Sequence, residues 1–196
     1  MVIDKAIVSE LKERTRAQKL ALFGALAFVC IFGRVLCAPF PQVQPLTLGV
    51  CIAGAYWGKS YGGALGVAGA FISNVFLGQG VWTIWQACAW GSIGFFAGAL
   101  LKDKPFWAVG IYAVATSFLF GMALDVCFAV LMGTTTAFAL GTAVAAGLVA
   151  DTLHAAGTAA FAVLVYTVFI AGSKVRRSRG KVHGGKVEGN MDKEHK

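Results

Sequence analysis

Four ionisable side chains lie inside otherwise apolar sequence: Arg34, Asp125, Asp151 and His154. Such groups are costly in an apolar medium unless each has a partner or a ligand. Arg34 has the chemistry to hold a carboxylate or phosphate, either on a bound molecule or as an ion pair with Asp125 or Asp151. Asp125, Asp151 and His154 have the chemistry of a proton relay. His154 follows Asp151 by about one helical turn, so a hydrogen bond between the two would also satisfy both. One histidine with one or two aspartates is an incomplete metal shell, and nothing in the chain calls for a cofactor. No G-x-S-x-G is present and no nucleophile is tied to His154, so the chain reads as a non-enzyme.

A second set is polar but uncharged, or aromatic. Asn74 precedes Gln79, Trp82, Thr83, Trp85 and Gln86, while Gln42 and Gln44 sit in an earlier loop. Polar groups for orientation and aromatic walls for area make up a small-molecule pocket. Trp82, Trp85 and Trp90 equally suit an aromatic belt at a membrane interface.

The elements that must position these residues are apolar helices. Hydrophobic stretches cover about 17–36, 46–57, 61–77, 82–101 and 106–132. The first ends in Cys37-Ala-Pro-Phe-Pro-Gln-Val-Gln-Pro45, whose three prolines preclude a continuing helix. Later breaks fall at Gly58-Lys-Ser60, Gly78-Gln-Gly-Val-Trp82, Lys102-Asp-Lys-Pro105 and Gly133-Thr-Thr-Thr136. The stretch 137–172 is too long for one span, and predicts a short outer segment followed by a sixth helix from about Gly147. At about 1.5 Å per residue, Arg34 stands roughly 22 Å from Lys19, and Asp125, Asp151 and His154 roughly 30–34 Å from their inner boundaries. All four therefore reach the outer half of a hydrocarbon core about 30 Å thick.

Composition agrees with an embedded bundle. The 196 residues are 58% hydrophobic and 13% charged, with mean hydropathy +0.72. Soluble domains average about 25% charged, so a soluble domain is all but excluded. Of 17 Lys and Arg, five precede Leu20 and eight lie from Lys174 onward, so the net charge of +8 belongs mostly to the two ends. That distribution suits an anionic leaflet and needs no nucleic acid. Six helices with both termini cytoplasmic place every Lys and Arg inside except Arg34. The expected organisation is a cytoplasmic segment 1–16, a six-helix transmembrane substrate-binding body 17–172 and a basic, disordered cytoplasmic tail 173–196. The five cysteines form no CxxC pair and read as small hydrophobes. No signal-peptide cleavage site stands out. Gly54xxxGly58xxxGly62xxxGly66 and Gly94xxxGly98 are small-xxx-small rows that let helix backbones approach. Ala53-Gly-Ala-Tyr-Trp-Gly-Lys-Ser60 is one residue short of a P-loop, but it joins two membrane helices with no preceding strand, which argues against phosphate binding by that motif.

The stretch Ser73-Asn-Val-Phe-Leu-Gly-Gln-Gly-Val-Trp-Thr-Ile-Trp-Gln86 leading to Ala89-Trp90-Gly91 resembles the substrate-binding subunits (S components) of energy-coupling factor transporters. Pro39-Phe-Pro-Gln-Val-Gln-Pro45, Phe120-Gly-Met-Ala-Leu-Asp125 and Ala150-Asp-Thr-Leu-His-Ala155 share in the resemblance, which extends over about 17–172. It implies an all-α, six-helix, multi-pass protein of a prokaryotic plasma membrane that captures a vitamin or related micronutrient from outside. It also implies docking on a transmembrane coupling subunit (T component) driven by two cytoplasmic ATPases. Arg34, Asn74, Gln79, Trp82, Trp85, Gln86, Asp125, Asp151 and His154 would then be pocket or pocket-mouth residues. Family members present an Ala-x-x-x-Ala row on the first helix to the coupling subunit, and Ala17, Ala21 and Ala25 match it. The subgroup it looks closest to is associated with cobalamin-like or uncharacterised substrates. Met1-Val-Ile-Asp-Lys5 lacks the Met-His start of the cobalt and nickel members, which argues against bare metal ions. The alternatives are a self-sufficient proton-coupled transporter or small channel, and a membrane scaffold.

Overall fold

Apolar runs form helices here wherever no breaker intervenes, and they stop at the glycine and proline clusters. The computed structural model describes residues 13–40 and 42–194, with side chains described as far as Val168. Among the described residues every regular element is an α-helix: α1 (Arg16–Leu36), α2 (Leu46–Trp57), α3 (Lys59–Leu77), α4 (Val81–Leu100), α5 (Phe106–Leu131) and α6 (Ala137–Glu194). The all-α class is thus present. Most of the segment 1–16, and the side chains of the 173–196 tail, lie outside the described residues. Two compact units divide the chain, Met1–Ala162 and Val163–Lys196. The second holds the C-terminal part of α6, and the site described below lies wholly in the first.

Among the described residues, four helical stretches are long and apolar enough to cross a membrane: Arg16–Leu36, Lys59–Leu77, Phe106–Leu131 and Ala137–Val168. Helix α4 has 20 residues, but its Trp, Gln, Thr and Gly content makes it less apolar than those four. Helix α2 has only 12, or about 18 Å of rise. Large hydrophobic side chains stay exposed around the bundle, from Phe28 and Phe76 to Trp107, Ile111 and Phe138, the last 87% exposed. A water-soluble surface does not carry that much apolar area. The four long apolar helices are compatible with a multi-pass membrane protein.

Helix α2 is the core of the first unit. It packs on α1, α3, α4 and α5, and nine of its residues are buried, from Leu46 through Ala55. A helix enclosed on all sides needs no polar face, which explains its unbroken apolarity. Its other partners are joined by close approach. A Cβ on Gly94 would lie 2.2 Å from the Gly62 carbonyl oxygen, and one on Gly66 would lie 2.4 Å from the Trp90 carbonyl. Helices α3 and α4 therefore touch backbone to backbone, and theirs is the most extensive pairing in the bundle. Gly58 departs from the expected small-residue row. With a φ of 107° it is the single residue between α2 and α3, and a Cβ there would meet nothing within 4 Å.

One expectation is corrected. The stretch from 137 is a single helix, with no separate outer segment and no new start at Gly147. No proline occurs beyond Pro105, and glycine inside an alanine-rich helix costs only about 1 kcal/mol, too little to break it. Helix α1 begins with a capping box: Thr15 Oγ1 accepts from the Gln18 amide at 3.3 Å, and the Thr15 amide donates to Gln18 Oε1 at 3.1 Å.

Candidate functional site

Arg34 ends α1 on its inward face, where it is 8% exposed. The proline-rich loop 37–45 turns back over it. Pro45 packs against Gly33, and Gln42 takes a left-handed φ of 64° that sends Gln44 inward. The guanidinium then spends its donors on four neutral acceptors. Nε donates to Gln44 Oε1 at 2.8 Å, Nη1 donates to Asn74 Oδ1 at 2.7 Å and to Ser73 Oγ, and Nη2 reaches Gln86 Oε1 at 3.4 Å. Its carbon centre lies 4.9 Å from the centroid of the Trp90 ring, in cation–π geometry. Among the described residues no carboxylate pairs with Arg34.

Each acceptor is itself held in place. Asn74 Nδ2 donates to Thr83 Oγ1 and to Gln86 Oε1, both at 2.8 Å. Trp90 is fully buried, stacks on Phe120 with centroids 4.3 Å apart, and donates its indole N–H to Thr47 Oγ1 at 2.9 Å. The Thr47 hydroxyl lies 3.0 Å from His154 Nε2, and Gln44 Nε2 lies 3.3 Å from the same nitrogen. Because Gln44 Oε1 accepts from Arg34, its other terminal atom is the NH₂ group, which can only donate. His154 Nε2 is therefore an acceptor, and the ring proton sits on Nδ1. That Nδ1 is buried without a hydrogen-bond partner. The ring stands edge-on to Phe120 at 5.4 Å. Side chains from all six helices thus meet at one cationic centre: Arg34, Thr47, Asn74, Trp90, Phe120 and His154.

The expected site residues divide three ways. Arg34, Asn74, Gln86 and His154 come together in this network. Gln79, Trp82 and Trp85 do not: Gln79 is exposed and folds back along α3, donating to the Phe71 carbonyl at 2.9 Å. Trp82 folds back over Gly80, and Trp82 and Trp85 are 47% and 43% exposed, as belt residues would be. Asp125 and Asp151 form a separate pair between α5 and α6, so the expected ion pair with Arg34 is absent, and so is the Asp151–His154 hydrogen bond. Each aspartate instead sits on a glycine of the other helix. A Cβ on Gly147 would lie 1.7 Å from Asp125 Oδ2, and one on Gly121 would lie 1.8 Å from Asp151 Oδ1. The two Gly-x-x-x-Asp segments, Gly121–Asp125 and Gly147–Asp151, interlock antiparallel. Oδ2 of each aspartate is buried without a hydrogen-bond partner.

The sequence reading passed over Trp90 as a site residue, along with Thr47, Ser73 and Phe120. Helical spacing carried the signal for one of them. Thr83, Gln86 and Trp90 follow at i, i+3 and i+7 on one face of α4, whereas Trp82 and Trp85 fall on the other. Ala17, Ala21 and Ala25 line one exposed face of α1, and a Cβ on Gly24 beside them would meet nothing within 4 Å. Comparison with models of known families, with curated proteins and with solved structures gives no match.

Proposed function

We propose that the chain is the substrate-capture subunit of an energy-coupling factor type importer, with six membrane-embedded helices and both termini cytoplasmic. The observation that carries the reading is Arg34: a buried guanidinium with five neutral neighbours and no counter-ion among the described residues. Burying a cation without an anion is costly, and the neutral cage offsets that cost only in part. A ligand carboxylate or phosphate would complete it. The substrate class is therefore a vitamin or related micronutrient bearing an anionic group, with Trp90 and Phe120 as its aromatic wall. His154 Nδ1–H, a buried donor without an acceptor, would supply a second contact. Entry requires loop 37–45 to lift, because Gln44 occupies both Arg34 Nε and His154 Nε2. The exposed face Ala17, Ala21 and Ala25 would dock on the transmembrane coupling subunit, which with its two ATPases supplies the energy this chain lacks.

The reading predicts that the chain alone in proteoliposomes binds its ligand but does not accumulate it, and that accumulation needs ATP and the coupling module. Accumulation by the chain alone would sink it. One observation favours the second reading, a proton-coupled transporter: the Asp125–Asp151 pair, with two buried oxygens left unpaired between α5 and α6. On that reading a pH gradient drives uptake without any ATPase, and Asp151→Asn abolishes it.

A further inference from the structure

The other end of the first unit carries a cleft of about 630 Å³ where the N-terminus of α1, the α2–α3 break and the C-terminus of α4 converge. Its lining includes four basic residues, Arg16, Lys19, Lys59 and Lys102, against a single carboxylate, Asp103. The rest of the lining includes three aromatic residues, Tyr56, Trp57 and Tyr61, and two of them pack on Phe23. Trp57 donates its indole N–H to the Lys19 carbonyl at 2.8 Å and lies 6.2 Å from the Phe23 ring. Tyr61 meets the same Phe23 edge-on at 5.0 Å. The start of α3 is fixed as well, because Gly98 leaves room for the Lys59 backbone: a Cβ there would lie 2.4 Å from Lys59 N. The Lys59 ammonium rests 5.4 Å from the Phe95 centroid. Leu20 extends the cleft toward the apolar flank.

We propose that this cleft binds a phosphate-bearing anion, at a place separate from the Arg34 site and with different lining residues. Lysine and arginine clustered between helix ends, with tryptophan and tyrosine at the same level, match the polar shell and depth of a phosphodiester headgroup. Helix α3 also begins here without a side-chain cap, so its positive end adds to the field. The segment is the one that falls a residue short of a P-loop. The helix α2 precedes it where a P-loop has a strand, and the binding groups are side-chain cations around a cleft in place of a backbone cradle.

The test uses the full chain in two arms. In nanodiscs holding equal phosphatidylglycerol and phosphatidylcholine, native mass spectrometry reads which lipid stays bound as detergent and lipid are stripped. In detergent, thermal unfolding is followed against inorganic pyrophosphate. Retained phosphatidylglycerol marks a lipid source, and pyrophosphate stabilisation marks a soluble one; either supports the site if Lys59→Gln with Lys102→Gln weakens the effect on the order of tenfold or more. The charge-matched pair Arg176→Gln with Arg177→Gln should leave it unchanged. The single variants are measured alongside, and each should weaken binding by itself should the double variant not purify. No preference for either anion, or equal losses in the cleft and tail variants, overturns the proposal.

Discussion

Arg34 is the residue on which the site turns, because its charge is desolvated and its neighbours are neutral. A hydrogen bond to a charged group is worth about 1.5–3 kcal/mol. Arg34→Ala is therefore expected to weaken ligand retention about 10- to 100-fold, whereas Lys104→Ala, at the far end of the bundle, leaves it unchanged. Isothermal titration or retention by mass reads the difference. Thr47 makes a second prediction. Its hydroxyl accepts from Trp90 and contacts His154, so Thr47→Val keeps the shape but strands the indole N–H. A buried donor left unsatisfied costs about 1–3 kcal/mol. The variant should melt several degrees lower with its helicity intact, and an unchanged melting temperature would show that the bond carries no weight. Residue type alone singled out Arg34, Asn74, Gln86 and His154, since such groups are expensive in apolar surroundings. It gave no pairing. Asp125 and Asp151 attract Arg34 on charge alone, yet the two glycines that receive their carboxylates lie four residues away on each helix, and that match is visible only once α5 and α6 are side by side.

Elements were legible to the extent that their boundaries rest on local chemistry. The prolines of loop 37–45, the glycines near 78–80 and the Lys102–Pro105 break end helices where the sequence says they should. The misjudged element is α6, where excess length suggested a division and nothing in the chain enforced one. Helix α2 was placed correctly as a short apolar run, but its role as the enclosed centre follows from packing that no single segment encodes. Close packing gives this scale its own tests. Gly94→Ala places a methyl 2.2 Å from the Gly62 carbonyl oxygen, and overpacking of this kind costs about 1–3 kcal/mol. Gly24→Ala meets nothing within 4 Å and should be neutral or stabilising by up to about 1 kcal/mol. Thermal unfolding of the two variants should separate them in that order. The interlocked aspartates predict coupling. Gly121→Ala should destabilise strongly when Asp151 is present and weakly in an Asp151→Ala background, a non-additivity of about 1 kcal/mol or more. Simple additivity would mean that the carboxylate moves aside freely.

At the largest scale, a buried cationic centre gathers side chains from all six described helices at one end of the first unit, and a basic, partly aromatic cleft opens at its other end. Exposed apolar side chains cover the surface between them, as lipid contact requires. The proposed capture role needs this division: a buried cation that a small anion can complete, and a way past Gln44 to admit it. The most direct test of that reading is native mass spectrometry of the intact chain purified from its membrane, beside Arg34→Ala prepared the same way. The expected result is one retained small molecule carrying a carboxylate or phosphate, present on the wild-type chain and missing from the variant. A wild-type chain that carries no such molecule, or a bound molecule held equally by Arg34→Ala, would contradict it.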